Sequence, residues 1–177
     1  MKLSEMMKSS AGRTALCAVM TALGLLFGYI ESLIPLPVPI PGIKIGIANA
    51  VTMVCFYLAG GKAAWITALL RISISGLLFG NLYSFLFSLM GGVFSLTVMS
   101  IMKRTGVFGI SGVSTAGGVM HNMGQIIAAA AVLKTAAVTA YIPALIAGGV
   151  ISGAVIGIVS GTVINRVKKA GVFIDQN

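Results

Sequence analysis

Long apolar runs dominate the chain, and short stretches between them contain nearly all of its basic residues. A transmembrane helix needs about 20 predominantly apolar residues, so runs of this length are typical of membrane spans. The pattern predicts spans over residues 14–33, 45–60, 63–80, 83–102, 114–133 and 140–165. We therefore expect an all-α membrane protein, a bundle of six transmembrane helices.

The basic residues between the spans predict the orientation of the bundle. Six spans place both termini on one side, and nine of the twelve basic residues then lie on that side. Because cytoplasmic loops carry an excess of Lys and Arg, we expect both termini in the cytoplasm of a multi-pass cell-membrane protein. The nine are Lys2, Lys8, Arg13, Lys62, Lys103, Arg104, Arg166, Lys168 and Lys169.

This topology divides the chain into three parts. Residues 1–13 form a cytoplasmic segment, residues 14–165 the transmembrane domain, and residues 166–177 a basic cytoplasmic tail. A proline-rich loop at 34–44 lies outside and joins the first two spans. Its four prolines at alternate positions stiffen the backbone, so the loop is either a rigid linker or a lid over an outward-facing pocket.

Composition supports the membrane interpretation and excludes several other classes of protein. Of 177 residues, 58% are hydrophobic and 8% are charged, whereas soluble domains have about 25% charged residues. The net charge of +9 arises from basic residues dispersed between apolar runs, so we expect no nucleic-acid partner. One histidine and two cysteines within apolar runs do not supply a metal site, and we expect no cofactor.

Polar residues inside the predicted spans are the candidates for function. Arg71 lies within the third span, and the fifth contains His121, Asn122 and Gln125. Ionisable groups inside a membrane are costly and by default mark functional sites. His121 and Gln125 are one helical turn apart and share a face, while Asn122 is offset by about 100°. For Arg71, a ligand-binding role and a structural role with Glu31 as its acidic partner both remain open.

Glycines recur every four residues in the last predicted span. Gly149, Gly153, Gly157 and Gly161 form one smooth helix face, which allows another backbone to approach closely. Tight helix packing is the simplest role for this face, and a surface that slides during transport is the alternative.

Four parts of the sequence, at their observed intervals, resemble the Gx transporter family. They are Gly42–Asn49 (GIKIGIAN), Arg71, Ser88–Gly92 (SLMGG) and His121–Gln125 (HNMGQ). Members of this family are often named heptaprenyl diphosphate synthase component I. The family is similar to the substrate-binding components of energy-coupling-factor vitamin transporters, and the resemblance covers about residues 30–165.

The resemblance implies a six-helix bundle that binds a small molecule from outside. In energy-coupling-factor systems, a coupling membrane subunit and its ATPases then drive release inward. Binding components of that kind dock through an Ala-x-x-x-Ala pattern on the first helix. Here Ala18 and Ala22 match that spacing, and Ala15 is nearby. The ligands of such systems are vitamins and cofactor precursors.

The leading hypothesis is therefore a substrate-binding membrane component for uptake of a vitamin, cofactor or precursor. Arg71 and Lys44 would hold a carboxylate or phosphate of the ligand, because Arg offers a fixed fork of donors. We expect the pocket in the outer half of the bundle, lined by Lys44, Asn49, Arg71, His121, Asn122 and Gln125, with apolar walls from Phe79, Tyr83, Phe85 and Phe87.

Two other functions remain open. One is an accessory subunit that handles an isoprenoid lipid for a polyprenyl diphosphate synthase or a membrane redox complex, which should open laterally toward lipid. The other is a structural anchor, in which the polar groups of spans three and five would bond only each other. Catalysis by the chain itself is not expected. The prenyl diphosphate synthases use two Asp-rich motifs, and this chain has three separate acidic residues.

Overall fold

The computed structural model describes residues 9–34 and 46–170, and the secondary structure of this part is helical. Lys44, most of the proline-rich loop and both ends of the chain lie outside the described residues. The helices are α1 (Ser10–Ser32), α2 (Ile47–Leu58), α3 (Gly61–Leu78), α4 (Leu82–Thr105), α5 (Ile110–Leu133) and α6 (Ile142–Lys169), with a 3-10 helix at Ala137–Tyr141.

Local sequence explains where several helices begin and end. Asn81 and Ser84 form a capping box at the start of α4, in which each side chain accepts from the other residue's backbone N–H. Gly106 ends α4 with a φ of 69°, a left-handed conformation that glycine adopts without steric cost. Gly60 separates α2 from α3 with a φ of 92°. Pro143 lies in the first turn of α6, where its missing N–H leaves no helical bond unmade.

Five of the described helices are long and apolar enough to cross a membrane, which confirms a multi-pass helical membrane protein. The exception is α2, which has 12 residues. A helix of that length rises about 18 Å, less than the roughly 30 Å of a hydrocarbon core. The crossing of the membrane by α2, and with it the cytoplasmic location of both termini, stays a prediction.

The short helix α2 lies beside the C-terminal half of α6 and runs parallel to it. Gly46, at the N-terminus of α2, packs against the Ile156 side chain. One turn further on, the Ser160 hydroxyl donates to the Ala50 carbonyl at 3.4 Å. Consequently α2 begins opposite the middle of α6.

The C-terminus of α2 is held by a lysine from α4. Lys103 Nζ donates to the Phe56 carbonyl at 2.9 Å and lies 4.5 Å from the ring centroids of both Phe56 and Tyr57. A positive charge at a helix C-terminus and over aromatic faces is stabilising. The side chain thereby joins α4 to the end of α2.

A packed apolar core surrounds α2. Its members come from the facing sides of four helices. They are Met53, Cys55 and Phe56 of α2, Ala64 and Ala68 of α3, Leu96 and Met99 of α4, and Val113 of α5. Cys17 and Cys55 are both buried free thiols, as expected for cysteines within apolar runs.

Neighbouring helices in the chain run antiparallel, so their ends alternate between two ends of the bundle. Cys55 of α2 faces Thr67 of α3, while Gly91 of α4 meets His121 of α5. Among the described residues, seven basic side chains gather at one end, which we call the basic end, and Lys134 lies at the other. The seven are Arg13, Lys62, Lys103, Arg104, Arg166, Lys168 and Lys169.

The glycine face of α6 packs directly on the backbone of α5. A Cβ built on Gly149, Gly153 or Gly157 would lie only 2.6–2.8 Å from a Cα atom of α5. Backbone atoms cannot move aside as a flexible side chain can, so any larger residue at these positions must separate the helices. A Cβ on Gly161 would meet its nearest neighbour, Ile110, at 3.8 Å, which is ordinary contact.

Substitution of these glycines should distinguish the close contact from the ordinary one. We expect Gly153→Ala to destabilise the protein by about 1–3 kcal/mol, because its Cβ meets the Thr115 Cα at 2.7 Å. Gly161→Ala should be neutral or stabilising, because alanine is the better helix former. Thermal unfolding of the two purified variants in the same detergent measures the difference. Equal unfolding temperatures would contradict the close packing.

The predicted orientation can be tested with single cysteines labelled in intact cells. A membrane-impermeant thiol reagent should label Lys134→Cys from outside, and should label Lys62→Cys and Arg104→Cys only after the cells are opened. The parent chain is the control, since Cys17 and Cys55 are buried. Labelling of Lys62→Cys from outside would show that α2 does not cross the membrane.

Candidate functional site

A cavity of about 650 Å³ lies at the end of the bundle opposite the basic end. Its volume is within the range of roughly 300–1,000 Å³ that is typical of small-molecule sites. The lining comes from α1, α3, α4 and the first turn of α2. It consists of Gly24, Leu25, Gly28, Glu31, Ser32, Ile34, Ala48, Arg71, Ile72, Ser75, Gly76, Phe79, Gly80, Asn81, Ser84, Phe85 and Ser88.

Helix α3 forms the floor of this cavity. Both α1 and α4 pack against α3 rather than closely against each other, so the two helices form opposite walls. Near the rim, the rings of Tyr29 and Phe79 are in tilted contact, with centroids 5.1 Å apart, and connect α1 to the end of α3. Within the described residues, the cavity is therefore a groove, and no close helix contact closes its side between α1 and α4.

Arg71 reaches from the floor of the cavity toward α2. Its Nη2 donates to Asn49 Oδ1 at 2.9 Å, while its buried Nε has no hydrogen-bond partner among the described residues. A guanidinium has five N–H donors, so this one bond leaves most of its donor capacity unused. Arg71 is thus positioned by Asn49 and retains donors for an anionic or carbonyl group.

Glu31 contributes a carboxylate to the same cavity from the last turn of α1. The side chain is 9% exposed, and its Oε1 accepts from the Gly46 N–H at 2.6 Å. Gly46 is the N-cap of α2 and has a φ of 84°, which favours glycine. A negative charge is stabilised at a helix N-terminus, so the start of α2 is a favourable place for this carboxylate.

The expected pairing of Arg71 with Glu31 takes an indirect form. Within the described residues the two side chains do not form an ion pair, although both line the large cavity. Each is bonded instead to the first turn of α2, Glu31 through Gly46 and Arg71 through Asn49. The start of α2 therefore fixes both charged groups.

A second, much smaller cavity of about 40 Å³ lies deeper in the bundle. Asn49, Arg71 and His121 all contribute to its lining, together with parts of α4, α5 and α6. One water needs about 10–15 Å³ measured in this way, so this space suits ordered water rather than a vitamin-sized ligand. Three of the predicted site residues thus come together, and Arg71 lies between the two cavities.

Glycines make room for both ionisable side chains. A Cβ on Gly24 of α1 would lie 2.7 Å from Arg71 Cδ, and a Cβ on Gly91 of α4 would lie 2.9 Å from His121 Cε1. Any side chain at either position would displace the ionisable group from its present place. The two glycines therefore belong to the site as spacers.

The other predicted residues of the fifth span lie away from both cavities. Asn122 Nδ2 donates to the Leu145 carbonyl at 2.7 Å and joins α5 to α6. Gln125 is 8% exposed, and in the part of the chain that the structure describes its buried Oε1 has no hydrogen-bond partner. Neither residue contributes to the lining of the large cavity or the small one. Of the predicted group of six, Asn49, Arg71 and His121 line the small cavity, and Arg71 also lines the large one. Asn122 makes a helix contact, Gln125 lies in the interior of the bundle, and Lys44 lies outside the described residues.

Two of the four aromatic walls predicted from the sequence line the large cavity, namely Phe79 and Phe85. Tyr83 is 57% exposed and Phe87 is not among the lining residues. The sequence analysis missed the hydroxyl groups of the cavity. Ser84 and Ser88 are four residues apart on α4 and so share a face, which is the pattern that could have indicated them.

The small residues predicted for partner docking lie on the outer face of α1. Ala15, Ala18 and Ala22 are all exposed, on the side of the helix away from α2 and α3. The structure thus leaves this face accessible to lipid or to another membrane protein.

These features define a polytopic α-helical membrane protein with a polar cavity at one end of its bundle. The chain belongs to the heptaprenyl diphosphate synthase component I family, whose sequence profile matches residues 20–163. The match includes the linings of both cavities and confirms the family resemblance found in the sequence. Neither the curated proteins nor the solved structures include a significant match to the chain.

The contact between Gly24 and Arg71 can be tested by a double-mutant cycle. We expect Gly24→Ala to destabilise the protein by about 1–3 kcal/mol, because the new methyl group collides with Arg71 Cδ. In an Arg71→Ala background the collision partner is gone, so the same substitution should cost little. Thermal unfolding of the four proteins gives the coupling between the two positions.

Gly28→Ala is the matched control on the same helix. Its Cβ would meet the Ala48 Cβ at 3.7 Å, which is ordinary contact, so its effect should be the same with and without Arg71. A Gly24→Ala effect that is equally large in both backgrounds would show that Arg71 does not depend on this glycine.

Proposed function

We propose that the protein is the substrate-binding component of a cell-membrane transporter that takes up a small vitamin, cofactor or precursor. The observation that carries this proposal is the 650 Å³ cavity at the end opposite the basic end. If the basic end is cytoplasmic, as the positive-inside rule favours, the cavity faces the outside. A cavity in that position is suited to capturing a solute before its transfer inward.

The lining has the mixture of groups that a small-molecule site needs. Small-molecule sites combine apolar walls with a few polar groups that fix the orientation of the ligand. Phe79 and Phe85 supply aromatic surface. The Ser88 hydroxyl can donate to or accept from a ligand, while Ser75 Oγ, which donates to the Ile72 carbonyl at 3.2 Å, can accept. Arg71 supplies the strongest hydrogen-bond donors.

The energy for transport would come from partner subunits. The similarity to energy-coupling-factor binding components suggests a coupling membrane subunit with ATPases, and the exposed alanines of α1 offer a smooth surface for it. In this role the chain binds and releases a ligand and catalyses no reaction itself.

A second candidate is a non-catalytic accessory subunit that handles an isoprenoid lipid. The description of the family names a component of a prenyl diphosphate synthase, and two structural observations also favour this candidate. The cavity is open between α1 and α4, and large apolar side chains surround the turn from α3 to α4, with Leu77 85% and Leu82 68% exposed. A prenyl chain could enter sideways from the bilayer through such an opening.

The anchor hypothesis receives less support from the hydrogen bonds. It requires the polar groups of the third and fifth spans to bond only each other. Arg71 instead bonds to Asn49 of α2, and Asn122 bonds to the Leu145 carbonyl of α6.

Ligand capture distinguishes the candidates. The protein is purified from its native cells in lipid nanodiscs, and the bound molecules are identified by mass spectrometry. A water-soluble compound in near-stoichiometric amount supports the transporter, and a polyprenyl compound alone supports the accessory subunit. If well-folded protein contains neither a water-soluble compound nor a polyprenyl compound, the cavity is not a ligand-binding site.

Variants connect the captured compound to the cavity. Arg71→Gln should lower its occupancy by about tenfold or more, because hydrogen bonds to charged groups contribute about 1.5–3 kcal/mol. Lys134→Gln removes a positive charge at the same end of the bundle but outside the cavity lining, and should retain the compound. Equal occupancy in both variants would contradict a role for Arg71 in binding.

A further inference from the structure

Among the described residues that line the large cavity, the formal charges cancel. Of the described residues that line it, Arg71 and Glu31 are the two with a formal charge, and their signs are opposite. The remaining polar lining consists of four serines and Asn81, which are neutral. The site as described therefore has no net charge, in contrast to the chain as a whole, which has +9.

The two charges are held apart rather than joined. Asn49 accepts from Arg71 Nη2, and the Gly46 N–H donates to Glu31 Oε1. Gly46 and Asn49 are themselves connected, since the Asn49 N–H donates to the Gly46 carbonyl at 2.8 Å. The first turn of α2 thus positions both groups, and this keeps the guanidinium and the carboxylate as two separate points of attraction.

A ligand charge that enters this cavity needs a compensating partner, because an unpaired charge in a site of low dielectric is costly. An anionic ligand would pair with Arg71 but leave the cavity with the unbalanced charge of Glu31. A cationic ligand would pair with Glu31 and leave Arg71 unbalanced. A molecule with both an anionic and a cationic group satisfies both residues and keeps the total at zero.

Resting on the proposed function of this cavity, we infer that it selects a zwitterionic ligand. The anionic group of that ligand pairs with Arg71, and its ammonium or other cationic group pairs with Glu31. Aromatic or aliphatic parts pack on Phe79 and Phe85. The expectation from the sequence, an anionic group held by Arg71 and Lys44, took no account of Glu31. Lys44 lies outside the described residues, so its part in the site stays a prediction.

Two sources present this chemistry. One is a water-soluble molecule of the amino-acid type, and the other is the headgroup of a zwitterionic phospholipid that enters through the open side between α1 and α4. Both bring an ammonium and an anion together, so both depend on the same two residues.

Three probes with the same ring but different charge test the inference. They are L-phenylalanine, a zwitterion, 3-phenylpropionate, an anion, and 2-phenylethylamine, a cation. Binding of each to the protein in phosphatidylglycerol nanodiscs is measured by equilibrium dialysis. We expect L-phenylalanine to bind about tenfold tighter than either singly charged probe, the ratio that one added charge-assisted hydrogen bond provides.

Variants that remove one of the two charges should change the order of the probe affinities in opposite directions. Glu31→Gln leaves a positive cavity and should favour 3-phenylpropionate, whereas Arg71→Gln leaves a negative cavity and should favour 2-phenylethylamine. Lys134→Gln is the control and should keep the original order. If Arg71→Gln does not fold, the comparison of Glu31→Gln with the unmodified protein is sufficient to test the inference.

Exchange of the nanodisc lipid distinguishes the sources. If the native occupant is a phospholipid headgroup, phosphatidylethanolamine should compete with L-phenylalanine and weaken its binding relative to phosphatidylglycerol. Unchanged binding in the two lipids indicates a water-soluble zwitterion.

The inference is overturned if the anionic or cationic probe binds the unmodified protein as tightly as L-phenylalanine. It is also overturned if no probe binds, or if Glu31→Gln leaves the order unchanged. A captured soluble compound with a single charge would refute the zwitterion but leave the transporter proposal intact. If no probe binds and no compound is captured, both proposals fail.

Discussion

The rest of the cavity depends on the bond between Arg71 and Asn49. A guanidinium in the middle of an apolar bundle must be supplied with acceptors, because lipid provides none. Asn49 is available only because α2 begins inside the bundle, opposite the middle of α6, so that its first turn reaches Arg71. The same turn offers the Gly46 N–H to Glu31. One short helix therefore places two opposite charges in one cavity without joining them.

Glycine packing and the polar cavity are parts of the same arrangement. Three glycines of α6 bring its backbone against α5, and Gly91 and Gly124 bring α4 against α5. This leaves α4, α5 and α6 closely packed, so the large cavity forms on the other side, between α1, α3 and α4. There Gly24 makes room for Arg71 itself. Small residues thus have two different effects, close backbone contact on one side and space for a large charged side chain on the other.

The sequence predicted the helices well and the site only in part. A span is recognised from the length of an apolar run, which is a local property, so the sequence predicted the ranges of α1 and α3–α6. The four-residue period of the glycines predicted the face of α6 that packs closely, and the structure shows that its neighbour is α5. The roles of Asn122 and Gln125 could not be predicted. Helical periodicity shows how far apart two side chains lie around a helix, but it does not show which other helix each side chain contacts. Asn122 turned out to bond to α6. Glu31 was seen only as a counter-ion, since nothing local shows that a residue 40 positions before Arg71 lines the same cavity.

The charge of the whole chain and the charge of the cavity have separate physical causes. Most of the +9 lies at the basic end, where it concerns orientation in the membrane and the C-terminus of α2. Dissolved salt screens such exposed charges beyond about 10 Å, which weakens their effect on a ligand at the opposite end. In the cavity, by contrast, each charge has to be balanced locally. The carboxylate of Glu31 is supported by the N-terminus of α2 and the guanidinium of Arg71 by a neutral amide, so these two described side chains are not joined in an ion pair. A site built in this way responds to the arrangement of charge within a ligand more than to its net charge, and it is that arrangement which distinguishes candidate ligands of similar size.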